Sequence, residues 1–102
     1  DVRGRSPFTN WLENLRDRSA AARIRVRLAR VRLGNLGDHR AVGEGVMELR
    51  IDFGLGYRVY FGQAGKRIVL LLCGGDKSTQ ASDVRAARAY WADYRRRSHG
   101  SE

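Results

Sequence analysis

The stretch "ELRIDFGLGYRVYF", residues 48–61, contains two segments of alternating polar and apolar residues, joined by the glycines of "FGLG". Because successive side chains of a β-strand point to opposite faces, each segment predicts a strand and the glycines predict the turn of a hairpin. With that turn centred on Gly54, Arg50 lies opposite Arg58. The apolar face of the hairpin is expected to contain Leu49, Ile51, Phe53, Tyr57, Val59 and Phe61. The polar face is expected to contain Glu48, Arg50, Asp52, Arg58 and Tyr60.

The pattern continues on both sides of the hairpin. Three strands are predicted to form an antiparallel meander, at about 46–53, 57–62 and 67–73. Two helices precede them, and the first begins at Ser6 and Pro7, a capping residue followed by a proline at the first helical position. After a break near Asp17, the second helix runs to about Leu33. A last helix is predicted at about 82–97.

The remaining segments have weaker patterns. Residues 1–5 are interpreted as a short edge strand, and the glycine-rich stretch 34–45 as a connection without periodicity. The tail from about residue 95 is expected to fray. The order of elements predicts one α+β domain over 1–102: a twisted antiparallel sheet with helices, including an N-terminal helical hairpin, packed on one face, and a helix at the C-terminal end.

The chain carries a formal net charge of +9, and arginine supplies 18 of its 20 basic residues. A guanidinium matches phosphate and carboxylate better than an ammonium does, so nucleic acid or an acidic protein is the expected partner. An arginine-rich proteome encoded by a GC-rich genome is the alternative explanation. The second helix concentrates this charge opposite its apolar positions, and its Arg23, Arg27 and Arg30 are candidate RNA-binding residues.

Nothing in the sequence indicates a membrane protein or a secreted one. The longest apolar run, "IVLLLC" (68–73), has the length of a buried strand and is well short of the ~18 residues of a membrane span. Residues 1–10 lack the apolar stretch of a signal peptide, and the single cysteine, Cys73, permits no internal disulfide. The sequence therefore predicts a cytoplasmic protein in which Cys73 is a small buried apolar residue.

Arg50 and Arg58, side by side on paired strands, repel each other unless an anion lies between them. Two interpretations are open. Glu48 and Asp52 share the face of Arg50 and would form a surface network of ion pairs, each worth ~0–1 kcal/mol. Alternatively, Lys77, in the loop after the third strand, joins the two arginines, and the three cations form a phosphate site.

Two long segments, "VGEGVMELRIDFGLGYRVYF" (42–61) and "LLLCGGDKSTQ" (70–80), resemble a known family. With the helical stretch "FTNWLENLRDRSAAARI" (8–24) and the order of elements, they are similar to the RelE/ParE toxin superfamily, most of all to its HigB-like branch of addiction-module killer proteins. Leu55 departs from the pattern, since such sequences commonly have proline there. The resemblance implies a RelE-like fold and the toxin of a bacterial type II toxin–antitoxin system. It also implies a cognate antitoxin, usually with a helix-turn-helix DNA-binding domain.

An activity is implied as well, because many RelE-like proteins are metal-independent endoribonucleases that cut mRNA, often on the ribosome, and use no cofactor. In that chemistry the 2′-hydroxyl attacks the adjacent phosphate, which requires a base, cations and an acid. Arg58 matches the family's strand arginine and would stabilise the phosphoryl oxygens. Arg50 would hold a phosphate or help to activate the nucleophile, and Lys77 would neutralise the leaving group or a flanking phosphate.

The acid–base set is incomplete by comparison with the family. Thr79 and Gln80 stand where several family nucleases have a histidine or tyrosine, and His39 and His99 are expected to be exposed bystanders. Tyr60 shares the arginine face and would stack a base or give a proton, or be an ordinary exposed strand tyrosine. The ribosome would then supply or orient what the chain lacks.

Two other functions stay open. A ParE-like toxin has the same fold but poisons DNA gyrase by protein contact, which leaves Arg50, Arg58 and Lys77 without a catalytic role. A noncatalytic nucleic-acid-binding protein fits the charge, although the chain lacks the paired exposed aromatics of a stacking platform. No His, Cys, Asp and Glu set has metal-ligand spacing. The expected partners are the antitoxin, mRNA and the ribosome, and operator DNA bound through the complex, with no membrane.

Overall fold

The computed structural model describes residues 7–65 and 67–100, with side chains described for 7–65 and 71–97. The elements in these ranges are α1 (Pro7–Glu13), α2 (Arg18–Arg32), β1 (His39–Gly43), β2 (Val46–Ile51), β3 (Tyr57–Ala64), β4 (Arg67–Asp76) and α3 (Gln80–Gly100). A 3-10 turn over Lys77–Thr79 joins β4 to α3. The predicted α+β class is confirmed, and the edge strand predicted at 1–5 lies outside the described residues.

The four strands form one antiparallel sheet in the order β1–β2–β3–β4. The β2–β3 hairpin has the predicted register, with Arg50 opposite Arg58 and Leu49 opposite Val59. On the other side of β3, Gly75 of β4 lies opposite Arg58. The predicted meander is therefore confirmed, and both arginines lie at the end of the sheet where β4 terminates.

Strand β1 corrects the prediction of an irregular connection over 34–45, because it occupies the second half of that stretch and pairs with β2. Glu44 and Gly45 form the turn between the two strands, with φ values of 56° and 83°. Positive φ at both positions is what a two-residue hairpin turn requires. Four of the five residues of β1 are exposed. An edge strand of this kind has no hydrophobic period by which the sequence could reveal it.

Local contacts define the helix ends that the sequence predicts. Pro7 is the first residue of α1, a position where its missing N–H removes no helical hydrogen bond. Asp17 caps α2, because its Oδ1 accepts a hydrogen bond from the N–H of Ala20 at 3.0 Å. At the other end, Gly34 has a φ of 92° and donates to the Val31 carbonyl at 2.9 Å. The predicted break and stop are thus confirmed.

Helices α1 and α2 pack on one face of the sheet and bury an apolar core. The helices contribute Phe8, Leu12, Ala20, Ala21, Ile24 and Val31. The strands contribute Leu49, Ile51, Tyr57, Val59 and Phe61. The apolar face predicted for the hairpin is therefore confirmed, and it lies under the N-terminal helical pair as expected.

Helix α3 packs on the opposite face, so the prediction that the helices share one face is wrong. The second core contains Val46, Tyr60, Leu72, Cys73, Ala87 and Trp91. The uninterrupted apolar run 68–73 explains this arrangement, because a strand with apolar residues on both faces requires a cover on both. The helix continues to Gly100 instead of fraying from residue 95. No helix within the described ranges is long and apolar enough to cross a membrane.

Candidate functional site

The three predicted catalytic cations lie at one end of the sheet. Arg50 is next to the last residue of β2, Arg58 is the second residue of β3, and Lys77 directly follows β4. Arg50 and Lys77 are exposed. Arg58, in contrast, is only 6% exposed. The expectation of two equally displayed arginines is therefore wrong: one guanidinium faces solvent and the other lies beneath the first turn of α3.

Lys77 is positioned by the turn that ends β4. Asp76 accepts hydrogen bonds from the N–H of Ser78 at 2.8 Å and from its hydroxyl at 2.5 Å, which fixes the 3-10 turn. Lys77 then lies along the β2–β3 turn, where a β-carbon added at Gly56 would be 3.5 Å from the Lys77 Cβ. The backbone therefore places Lys77 at the same end of the sheet as the start of β3, as the sequence predicts.

The buried guanidinium of Arg58 has an incomplete set of partners. Its Nε lies 3.7 Å from Oε2 of Glu48. Among the described residues, neither Nε nor Nη1 has a hydrogen-bond acceptor, although both atoms are buried. Buried polar atoms are nearly always hydrogen-bonded, and a charged donor left unpaired is strongly destabilising. Arg58 is consequently a buried cation with unused hydrogen-bonding capacity.

Glu48 is the residue that organises this region. It is fully buried and accepts hydrogen bonds from Arg40 Nε at 3.0 Å, Tyr60 OH at 2.9 Å and Gln80 Nε2 at 2.9 Å. Burial alone would raise the pKa of Glu48, but these hydrogen bonds and the charge of Arg40 hold the pKa below its ordinary value. One ionised carboxylate therefore joins β1, β2, β3 and α3.

From the sequence, Glu48 is expected only to be a surface counterion of the arginines. The ion pair with Arg58 agrees with that interpretation, but the complete burial does not. The sequence shows Gln80 only as a residue that cannot titrate, whereas in the structure its side chain donates a hydrogen bond to the carboxylate. The sequence does contain one indication of this role. Glu48 lies on the same face of β2 as Val46 and Arg50, and the apolar run of β4 contributes side chains to that face as well.

Tyr60 does not fit the role predicted for it. Its side chain is fully buried beneath α3, and its hydroxyl donates to Glu48. Burial, together with the hydrogen bond to Glu48 and its charge, raises the pKa of Tyr60 far above the ordinary tyrosine value. The expectation that Tyr60 lies on an exposed face is wrong. Its ring has no open surface for stacking a base, and its proton is held in place by the carboxylate.

Two further carboxylates lie near the buried arginine. A β-carbon added at Gly75, the partner of Arg58 across β3 and β4, would overlap the carboxylate of Asp83. That carboxylate accepts a hydrogen bond from the Thr79 hydroxyl at 2.5 Å. Hydrogen bonds from Ser78, with a smaller contribution from the charge of Arg58, hold the pKa of Asp76 below its ordinary value. Together with Glu48, these two carboxylates partly neutralise the positive charge of Arg58.

The three predicted RNA-binding arginines of α2 have different surroundings. Arg27 is half-buried, and its fork donates to the carbonyls of Leu36 at 2.8 Å, Asp38 at 2.6 Å and Arg50 at 2.8 Å. It ties α2 to the start of β1 and the end of β2, so its guanidinium is already occupied. Arg23 places its guanidinium 4.1 Å from the centre of the Phe53 ring. Arg30 is exposed.

An open groove of about 700 Å³ lies on the other face of the sheet, between α1 and the β2–β3 turn. Its lining includes Trp11, Tyr57, Asp17 and Asp76. Burial and the charges of the two aspartates raise the pKa of Tyr57. None of the predicted catalytic residues lines this groove. Within the described part of the chain, no group of three or more His, Cys, Asp and Glu side chains is arranged to hold a metal ion.

The known proteins that the chain resembles in sequence give a family but no activity. An uncharacterized protein of Haemophilus influenzae (strain ATCC 51907 / DSM 11121 / KW20 / Rd) is 48% identical to this chain over 81 residues. The match covers 79% of this chain and 82% of the relative. No protein-family model matches the chain, and no solved structure matches it.

Proposed function

We propose that this chain, which belongs to the same family as the Haemophilus influenzae protein, is the cytoplasmic toxin of a bacterial type II toxin–antitoxin system. The proposal assigns it a RelE-like fold of the HigB-like branch and the activity of a metal-independent, ribosome-dependent mRNA endoribonuclease. The observation that carries it is the cluster of Arg50, Arg58 and Lys77 at one end of the sheet, in which two buried donors of Arg58 have no acceptor among the described residues.

The cluster suits a phosphodiester better than it suits surface ion pairing. Arg50 and Lys77 are exposed, and their charged groups form no ion pair with another described residue. An anion at this end of the sheet would meet the exposed cations Arg50 and Lys77 above the buried guanidinium of Arg58, which the surrounding residues hold in place. Preorganised donors of this kind stabilise developing negative charge without reorganising during the reaction. The net charge of +9 would attract a polyanionic substrate toward the same edge.

The proposed reaction is attack of an RNA 2′-hydroxyl on the adjacent phosphorus. The bond from the 2′-oxygen to phosphorus forms, the bond to the 5′-oxygen breaks, and the products carry a 2′,3′-cyclic phosphate and a 5′-hydroxyl. Arg58 stabilises the phosphoryl oxygens, Arg50 holds the phosphate on the nucleophile side, and Lys77 gives a proton to the departing 5′-oxygen. Tyr60 and Glu48 are closed to substrate, so the proton of the 2′-hydroxyl passes to solvent water as the bond to phosphorus forms, and the ribosome orients the nucleophile.

The proposed partners follow from the same function. A small antitoxin with a helix-turn-helix DNA-binding domain would hold the toxin inactive, and the complex would bind its own operator DNA. An acidic segment of that antitoxin would place carboxylates at Arg50 and Lys77, where the phosphates of mRNA would otherwise bind. Neither a cofactor nor a membrane takes part in this proposal.

The test is controlled expression in bacteria, with mapping of mRNA 5′ ends, for wild type, Lys77→Ala and Arg58→Ala. New ends within translated codons are expected for wild type and are expected to disappear in both variants. Lys77 is exposed, so the loss in Lys77→Ala separates catalysis from folding. Arg96→Ala is the matched control, because Arg96 is an exposed cation of α3 far along the chain from the cluster. Cutting that persists in Lys77→Ala and Arg58→Ala would overturn the assignment of the site.

A ParE-like gyrase poison is the second candidate. The near-complete burial of Arg58 and its ion pair with Glu48 favour it, since both are consistent with a purely structural arginine. Expression of such a toxin would stop growth while mRNA remains intact, with DNA breaks and an SOS response. That result would replace the nuclease proposal while leaving the toxin assignment in place.

A further inference from the structure

Helix α2 has a second apolar face that no described element covers. Its buried face packs on the sheet through Ala20, Ala21, Ile24 and Val31. On the opposite side, exposed apolar residues recur at intervals of four, three and four residues, at Ala22, Val26, Ala29 and Leu33. Side chains at this spacing lie one above another along a helix. Val26 is 55% exposed and Leu33, at the C-terminal cap, is 88% exposed.

Arginines border this stripe on both sides. Arg23 and Arg30 lie along one edge, and Arg25 and Arg32 lie along the other, each pair being two helical turns apart. All four are exposed, and none forms an ion pair with another described residue. Residues 18–33 include no Asp or Glu. A face that needs only to be solvated commonly mixes both signs of charge and avoids large aliphatic side chains.

The geometry points to a docking surface for an amphipathic helix of a partner protein, with an apolar stripe flanked by aspartates and glutamates. The 4-3-4 spacing of Ala22, Val26, Ala29 and Leu33 is the spacing through which packed helices interlock. The alanines allow close approach, while Val26 and Leu33 provide the larger contacts. Acidic residues beside the partner's stripe would each meet an arginine, which adds electrostatic complementarity to apolar burial.

Charge and shape decide against two other occupants. A second copy of this chain would bring the four bordering arginines against four identical ones, which is repulsive at close range. An RNA backbone would satisfy the arginines but would leave Val26 and Leu33 facing phosphates. The surface lies on the side of α2 away from the sheet, and so apart from Arg58 and Lys77. The inference goes beyond the proposed nuclease function and does not depend on it.

The test uses a synthetic helical peptide of about 16 residues, enough for about four turns, with leucines at the 4-3-4 spacing and glutamates on both flanks. Its affinity for the full chain is measured by fluorescence anisotropy at low and high salt. Tight, salt-sensitive binding is expected for this peptide. A peptide of the same composition with shuffled leucines is expected to bind about tenfold more weakly, because the apolar contacts are lost. Equal binding of the two peptides would reduce the interaction to general charge attraction and overturn the proposal.

Variants of the chain locate the contact. The double substitution Val26→Asp with Leu33→Asp is expected to weaken binding by about tenfold or more, without unfolding the chain, since both positions are exposed. The matched control is Leu55→Asp, which alters another exposed leucine, 66% exposed, in the β2–β3 turn. Equal effects of the two changes would overturn the assignment. So would a dimer of the chain that dissociates on the double substitution, or an RNA oligonucleotide that displaces the peptide from this face.

Discussion

The two faces of the sheet bury different kinds of side chain. The fully buried residues described under α1 and α2 are all aliphatic or aromatic, as in the packing of Ile24 and Phe61. The face under α3 buries Glu48 and Arg58 beside Trp91 and Leu72. The first face can tolerate changes of shape at the cost of packing. The second is expected to be more sensitive to the loss of a charged partner, because an unpaired charge in an interior is far more unfavourable than a missing methyl group.

The two faces nevertheless share one packing feature. On each of them a tryptophan ring lies directly on a glycine of the sheet: Trp11 of α1 on Gly74, and Trp91 of α3 on Gly62. Any added β-carbon at either glycine would overlap the ring. The glycines therefore let the helices approach the strands closely, and the comparison between the faces can be tested with matched substitutions.

The largest effect is expected from Glu48→Ala. Removing the carboxylate takes away the ion-pair partner of the buried Arg58, and loss of one partner of a buried pair typically destabilises a protein by about 3–5 kcal/mol. Replacing Arg58 by Met in the same chain should restore part of the loss, since the unpaired charge is removed. Urea unfolding of the single and double variants measures both effects. If the double variant is no more stable than Glu48→Ala, Glu48 does not stabilise the fold by compensating the charge of Arg58.

Tyr60→Phe should have the next largest effect. Its hydroxyl donates to the ionised Glu48 at 2.9 Å, and a hydrogen bond to a charged group contributes about 1.5–3 kcal/mol. Tyr57 provides the control on the opposite face, because its hydroxyl forms no hydrogen bond with another described residue. Tyr57→Phe is therefore expected to lower the free energy of unfolding by clearly less than Tyr60→Phe does. Equal losses would contradict the difference between the faces.

Gly62→Ala and Gly74→Ala compare the two tryptophans. Overpacking of a well-filled interior typically costs about 1–3 kcal/mol. The larger loss is expected at Gly62, because Trp91 is 3% exposed and has no room to move, whereas Trp11 is only half-buried and can shift outward. Thermal unfolding of the two variants side by side gives the order. The reverse order would mean that α3 moves away from the sheet more readily than α1.

The smallest expected effect is on the pH dependence of stability. The folded-state pKa of Glu48 lies below its ordinary value of 4.5. Its contribution to stability is therefore fully present above that ordinary value and is lost as the pH falls through the lower folded-state pKa. Urea unfolding between neutral and acidic pH should show this loss in wild type. Glu48→Gln should show a smaller loss of stability. Part of the loss should remain in both chains, because Asp76 is a second carboxyl group with a lowered pKa. Identical slopes for the two chains would exclude Glu48 as a contributor.

The register of the β2–β3 hairpin could be predicted from the sequence, but the elements that cover its two faces could not. Alternation over 48–61 specifies register, because a slip of one residue would exchange the two faces, so Arg50 and Arg58 were correctly paired. Alternation does not reveal what lies above each face. Glu48 and Tyr60 occupy positions that read as solvent-facing, and only the packing of α3 buries them. Strand β1 escaped prediction for the opposite reason, since its exposed residues have no pattern.

The candidate site shows the same division. The topology of the strands places Arg50, Arg58 and Lys77 at one end of the sheet, and this follows from the sequence alone. The depth of Arg58 and its dependence on Glu48 do not, because they are set by residues distant in the chain, such as Gln80. Arg27 is a similar case, since helical spacing shows which side of α2 it occupies but not the carbonyls that bind it.

Cys73 lies within the second core, 8% exposed, as the sequence predicts for a small apolar residue. Its Sγ is 3.7 Å from the Asp83 carbonyl, directly under the first turns of α3. Burial, with the charge of Asp83, raises the pKa of the thiol to about 12. Alkylating reagents attack thiolates that they can reach, so we expect this sulfur to react mainly in molecules whose α3 has left the sheet. The rate at which Cys73 is alkylated therefore reports how often α3 detaches from the sheet.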